Sequence, residues 1–193
     1  MSTIGTTNIK EPSSATNNIT LTSGGDTTIS GNATVTGTLT FPPNTGQVLQ
    51  VRNFQTGEYA TGTTVLPIDD TIPQNTEGDE YMTLSITPTS ASNKLLIEVS
   101  AMLAASAPRW IVGALFQDTT ADALAGGWFY EPNNGGGKEL TLRHYMTAGT
   151  TSSTTFKFRA GTHTADTLYF NGAGSRYLGG VASSSITITE IAT

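Results

Sequence analysis

Chemistry in this chain could come from its two histidines, an acid-rich loop, a glycine triplet ahead of a lysine, and a run of consecutive aromatics. His144 alternates with Leu142 and Met146, while Arg143 and Tyr145 take the other parity, which is the setting of a packed or interfacial imidazole. His163 sits in the turn Gly161-Thr162-His163-Thr164-Ala165-Asp166, where it can steady the turn or touch a ligand. Two imidazoles alone would leave a metal under-ligated, and a chain without cysteine has no thiol nucleophile and no Cys-based zinc site. Asp69, Asp70, Glu77, Asp79 and Glu80 could gather oxygens around calcium, but they lack the spacing of a calcium loop, so a solvated turn is expected. Gly135-Gly136-Gly137-Lys138 partly matches a phosphate-binding loop. Glu139 stands where Ser or Thr is required and no helix follows, so it reads as a flexible tip. The expectation is therefore no catalytic residue, no metal and no cofactor.

The aromatics are more informative. Trp128, Phe129 and Tyr130 run directly into Glu131-Pro132-Asn133-Asn134 and the glycines, and Arg109-Trp110 follow another turn. Consecutive residues of a strand point to opposite faces, so at least one ring lies outside the core. Exposed rings beside amides suit the apolar face and the hydroxyls of a sugar, or a neighbouring subunit. Trp128, Tyr130, Asn133, Asn134 and His163 are the candidate receptor-binding residues.

Composition says which elements must position them. By count the chain has 36 Thr and 16 Ser, so β-branched and hydroxylated residues dominate while helix formers are scarce. An all-β protein follows, with 21 Gly and 8 Pro as turns. A glycosylated stalk would share this composition, but not the period-2 patterning of the second half. Nine basic against fifteen acidic residues, with no Lys/Arg cluster, exclude nucleic acid as a partner. No run of 18 apolar residues exists, and the first residues carry no apolar signal region, so neither a membrane span nor a signal peptide is expected. The Asn-x-Thr acceptors at Asn18 and Asn32 then carry no meaning.

Four segments are expected. Residues 1–17 have almost no apolar periodicity and read as an attachment segment held by a partner. Residues 18–41 read as a fibrous stem whose sparse apolar stripe, including Ile29, Val35 and Phe41, a single chain cannot cover. Identical chains around an axis would cover it, while a flexible linker is the competing reading. Residues 42–62 read as a collar, and residues 63–193 as an antiparallel β-sandwich head, jelly-roll-like. Its strand candidates are 64–69, 81–87, 95–104, 110–117, 124–130, 140–147, 154–160, 168–170 and 185–191. If strands alternate in direction, the connections 70–79, 105–108, 131–138 and 161–167 share one end, and 88–94, 118–123 and 148–153 the other.

Several stretches of the head carry a resemblance: Asp70-Thr71-Ile72-Pro73-Gln74, Glu77-Gly78-Asp79-Glu80, Ile86-Thr87-Pro88 and Asn93 through Val99. Leu115-Phe116-Gln117-Asp118, Leu142 through Met146 and Ser185 through Ile191 extend it. Together they resemble the C-terminal β-domain of bacteriophage tail-fibre and related virion proteins, and the stem is similar to the Gly/Thr-rich shafts of such fibres. The resemblance implies a non-enzymatic, homotrimeric virion appendage on the tail or capsid surface. Residues 1–17 would join another virion protein, and the head would face the host and its surface glycans. A capsid head fibre or decoration protein is the structural alternative. A polysaccharide depolymerase is the enzymatic one, and it would ordinarily need paired carboxylates across a groove, about 5–9.5 Å apart.

Overall fold

The computed structural model describes residues 45–193; the attachment and stem segments, with Ile29, Val35 and Phe41, lie outside them. The described residues form ten strands: β1 Val48–Thr56, β2 Ala60–Gly62, β3 Asp79–Ile86, β4 Lys94–Ala105, β5 Arg109–Gln117, β6 Ala125–Glu131, β7 Lys138–Thr147, β8 Thr154–Thr162, β9 Leu168–Phe170 and β10 Ser184–Ile191. One sheet carries β1, β10 and β4, with β7 on the far edge of β4 and the short β9 and β2 continuing beside its end. The other has the order β3-β8-β5-β6. All pairings are antiparallel, and the partners nest: β1 with β10, β3 with β8, β4 with β7, and β5 with β6. A long hairpin folded over on itself makes that nesting, and it is the jelly-roll topology.

Alternation builds the core. Leu95, Ile97, Val99, Ala101 and Leu103 of β4, with Ile186 and Ile188 of the neighbouring β10, face Ile111 and Leu115 of β5 and Phe156 and Phe158 of β8 in the opposite sheet. Gly113 lets the sheets close here, since a Cβ would meet the Phe158 ring at 2.8 Å and Leu140 Cδ2 at 2.9 Å. The opposite face of β5 is buried as well: Val112, Ala114 and Phe116 pack with Leu66 in a second cluster. Covered on both sides, β5 reads as a continuous apolar run rather than an alternating one.

The cover is residues 64–78, and two expectations change there. Residues 64–69 are not a strand; Pro67 cannot donate to a ladder, and the segment crosses the outer face of the sheet with Leu66 N–H bonded to the Thr162 carbonyl at 3.1 Å. Gly161 permits the crossing, because a Cβ there would stand 2.4 Å from the Thr64 carbonyl oxygen. The segment then turns back, with Asn75 N–H on the Ala121 carbonyl at 2.8 Å, so the 70–79 connection reaches the opposite end of the sheet from the one expected. Residues 48–62, expected as a collar, supply β1 and β2 to the head's own sheet. Backbone pairing with β10 holds β1 in place, although its own side chains are mostly exposed.

The remaining connections lie as strand alternation requires. The chain enters β1 where β10 ends, joined by Gly46 N–H to the Ala192 carbonyl and Ala192 N–H to the Gln47 carbonyl, both 2.8 Å. Connections 87–93, 118–124 and 148–153 share this proximal end, and 106–108, 132–137 and 163–167 the distal one.

Candidate functional site

The hairpin β5–β6 turns about residue 120, so residues equidistant from it face each other: Trp110 lies opposite Tyr130 and Val112 opposite Trp128. These four side chains share the outer face of the sheet, toward its distal end. Val112 is covered by the 64–78 segment, but the rings beyond it are open, with Trp110 39%, Tyr130 43% and Trp128 62% exposed. Trp110 and Tyr130 touch at a centroid distance of 5.1 Å and a tilt of 50°, which fixes both rings without removing their free faces.

Two neighbours complete a groove of about 350 Å³ lined by Ile68, Trp110, Trp128 and His163. Ile68 comes from the crossing segment just after buried Leu66. His163 follows β8 and is positioned by its own N–H on the Trp110 carbonyl at 3.0 Å. Its Nδ1 is buried with no hydrogen-bond partner. Beside it, Arg109 Nε pairs with Asp166 Oδ2 at 3.0 Å, and the other Asp166 oxygen accepts from Ser106 Oγ and from the Thr167 N–H at 2.7 Å. The groove lining is therefore aromatic and aliphatic apart from His163, and the Arg109–Asp166 ion pair belongs to the turn that follows His163.

Three of the five residues expected to bind a receptor, Trp128, Tyr130 and His163, are thus brought together. Asn133 and Asn134 are exposed but do not line the groove. Their loop folds toward β4, with Gly135 N–H on the Ala105 carbonyl at 3.0 Å. Buried Glu131 anchors it by accepting the Asn133 N–H at 2.9 Å. Gly135 and Gly137 hold φ of 72° and 63°, so this glycine triplet serves the backbone of the turn. Ile68 was hidden because Leu66 and Ile68 alternate as a strand would. Trp110 was noted only as a ring beside a turn; its equal distance with Tyr130 from residue 120 is the signal that could have placed it in the site.

Most of the other candidates have structural roles. His144 faces inward on β7, and burial pushes its imidazole below the ordinary value. Asp69 accepts from Thr71, Glu77 from the Gln74 N–H, and Asp79 from Thr64, while Glu80 pairs with Lys157 and Arg159. Among the described residues no group of three or more His, Asp or Glu is placed to hold a metal ion. At the distal end the connection 171–183 exposes Tyr177, Leu178 and Val181, with Leu178 in the left-handed region at φ 50°. No described helix is long and apolar enough to cross a membrane.

Comparison with known proteins yields distant likenesses to solved structures alone. No family model and no curated protein matches the chain. Among solved structures, the one described as "CBM4 structure and function" is 18% identical over 66% of this chain and 75% of that one, with a TM-score of 0.36. The infectious bursal disease virus Gx strain structure is 14% identical over 76% of this chain and 38% of that one, with a TM-score of 0.33. The enzymatically active domain of bacteriophage CBA120 tailspike protein 4 is 15% identical over 64% of this chain, with a TM-score of 0.26. This chain spans less than two fifths of the bursal virus chain and 19% of the tailspike chain. The fold itself is an antiparallel β-sandwich, all-β throughout the described residues.

Proposed function

We propose that this chain is a non-enzymatic virion appendage protein, a homotrimeric tail fibre that is attached through residues 1–17 and meets the host surface with its β-sandwich head. The observation that carries this reading is the open aromatic face at the distal end, where Trp110, Trp128 and Tyr130 stand exposed on a rigid hairpin. Large rings left in water on a strand pair are costly unless a partner covers them. The sequence resemblance of the head to phage fibre domains supplies the class of partner. The non-enzymatic part of the reading follows the sequence resemblance; a depolymerase would ordinarily need two carboxylates across a groove. Trimerisation is supported by β1, an edge strand with Val48, Val51 and Phe54 exposed, since free apolar edges invite association.

Antibody raised against the head and gold-labelled on purified particles tests the assignment. Label at tail tips is the expected result. Label over the capsid would favour a head fibre or decoration protein, and unlabelled particles would end the virion reading.

A further inference from the structure

We infer that the groove between Trp110 and Trp128 binds a neutral hexopyranose unit of a surface glycan; this rests on the host-contact reading above and names its ligand class. Three features of the site lead to that chemistry. First, the carbon-bound hydrogens on one side of a pyranose form an apolar face that matches the electron-rich face of an indole. Trp128 offers such a face, 62% exposed, with Trp110 and Ile68 as walls. Second, the groove of about 350 Å³ falls at the small end of ligand sites, which run to about 300–1,000 Å³, and so fits a short glycan segment rather than a folded partner.

Third, the groove lining contributes no carboxylate, ammonium or guanidinium group. His163 has one ring nitrogen, Nδ1, buried and unpartnered, which leaves Nε2 as the nitrogen able to meet a hydroxyl. Nearby Arg109 pairs through Nε with Asp166 and donates Nη1 to the Pro108 carbonyl at 2.9 Å, and Asp166 in turn accepts from Ser106 and Thr167, so the pair presents no net charge to draw an acidic ligand. The chain also carries a net charge of −6, a field that repels acidic polymers. Trp128 is the stacking platform, His163 the hydroxyl partner, and the Arg109–Asp166 pair holds the 163–167 turn that positions His163.

The test is titration of the purified full-length protein with uncharged α- and β-linked hexose trisaccharides, followed by tryptophan fluorescence and by saturation transfer to the sugar protons. At least one trisaccharide should saturate the signal. Trp128→Ala should weaken it about tenfold, the equivalent of one lost stacking contact of about 1.4 kcal/mol. His163→Ala should weaken it as well, while Arg143→Ala, on the outer face of the other sheet, should leave it unchanged. Trp128 is exposed on an edge strand, so its removal spares the core, and an unchanged unfolding midpoint checks this. Binding of sialylated or phosphorylated trisaccharides in preference to neutral ones would overturn the inference, as would binding indifferent to Trp128. If no neutral sugar binds yet Trp128→Ala protein loses its hold on host cells, the sugar assignment falls and the contact surface stands.

Discussion

Replacing Glu190 should uncouple the last strand from the place where the chain enters the head. Glu190 is fully buried near the end of β10, and its carboxylate accepts from Gln50 Nε2 at 2.6 Å, Thr89 N–H at 2.7 Å, Thr89 Oγ1 at 2.8 Å and Asn93 Nδ2 at 2.6 Å. These donors belong to β1 and to the 87–93 connection, so one side chain ties three parts of the proximal end together. In Glu190→Ala, Gln50 keeps the Thr87 carbonyl and Asn93 keeps Thr89 Oγ1, but the Thr89 N–H is left without its acceptor. That orphan costs about 1–3 kcal/mol, and with the lost charged hydrogen bonds the total loss should be about 3–5 kcal/mol. Glu190→Gln keeps an oxygen for Thr89 and Asn93 but turns an amide toward Gln50, so it should cost about 1–3 kcal/mol.

The pH dependence has a definite sign. Burial alone would raise the Glu190 carboxyl, but hydrogen bonds from Asn93, Gln50 and Thr89 outweigh it and hold the carboxyl below its ordinary value of 4.5. A depressed carboxylate contributes stability that is present above the unfolded value and is lost as pH falls through the folded one. Urea unfolding at equal protein concentration should therefore show the gap between wild type and Glu190→Gln narrowing below pH 4.5. A gap unchanged between pH 7 and the acid limit of folding, or a Glu190→Ala loss under about 0.5 kcal/mol, would refute the clamp.

Other perturbations bear on the core, the cover and the assembly. Gly113→Ala should destabilise by about 1–3 kcal/mol in urea unfolding, because its methyl group would drive into Phe158 and Leu140 where the sheets meet. Leu66→Ala should cost about 2–5 kcal/mol and expose the 64–78 segment to protease, since Leu66 is the fully buried contact that pins this segment to β5. Sedimentation equilibrium should return three times 20.2 kDa for the full chain. Val35→Asp should shift that mass toward the monomer by bringing like charges together at an axis.

The jelly roll was legible because most of its strands combine alternation with turn chemistry, as in Lys94–Ala105 against Ser184–Ile191. β1 was hidden within the 42–62 collar because its partner strand lies at the other end of the chain and its exposed residues show no apolar alternation. The 64–69 segment misled for a physical reason: Leu66 is buried against the outer face of a sheet, which marks a residue as strongly as burial within one. The groove was half legible. Trp128 and Tyr130 declared themselves as rings on one parity, but Ile68 joins them through a crossing that depends on Gly161 and leaves no periodic trace.

The distal aromatic face is the surface proposed to meet the host. Purified wild-type protein and a Trp110→Ala/Trp128→Ala variant of equal thermal stability and equal oligomeric mass can each be used to compete with virions for adsorption to host cells. Wild type should block adsorption in a saturable way, and the double variant should not. Equal blocking by both proteins would contradict that assignment and move the contact away from the Trp110–Trp128 groove.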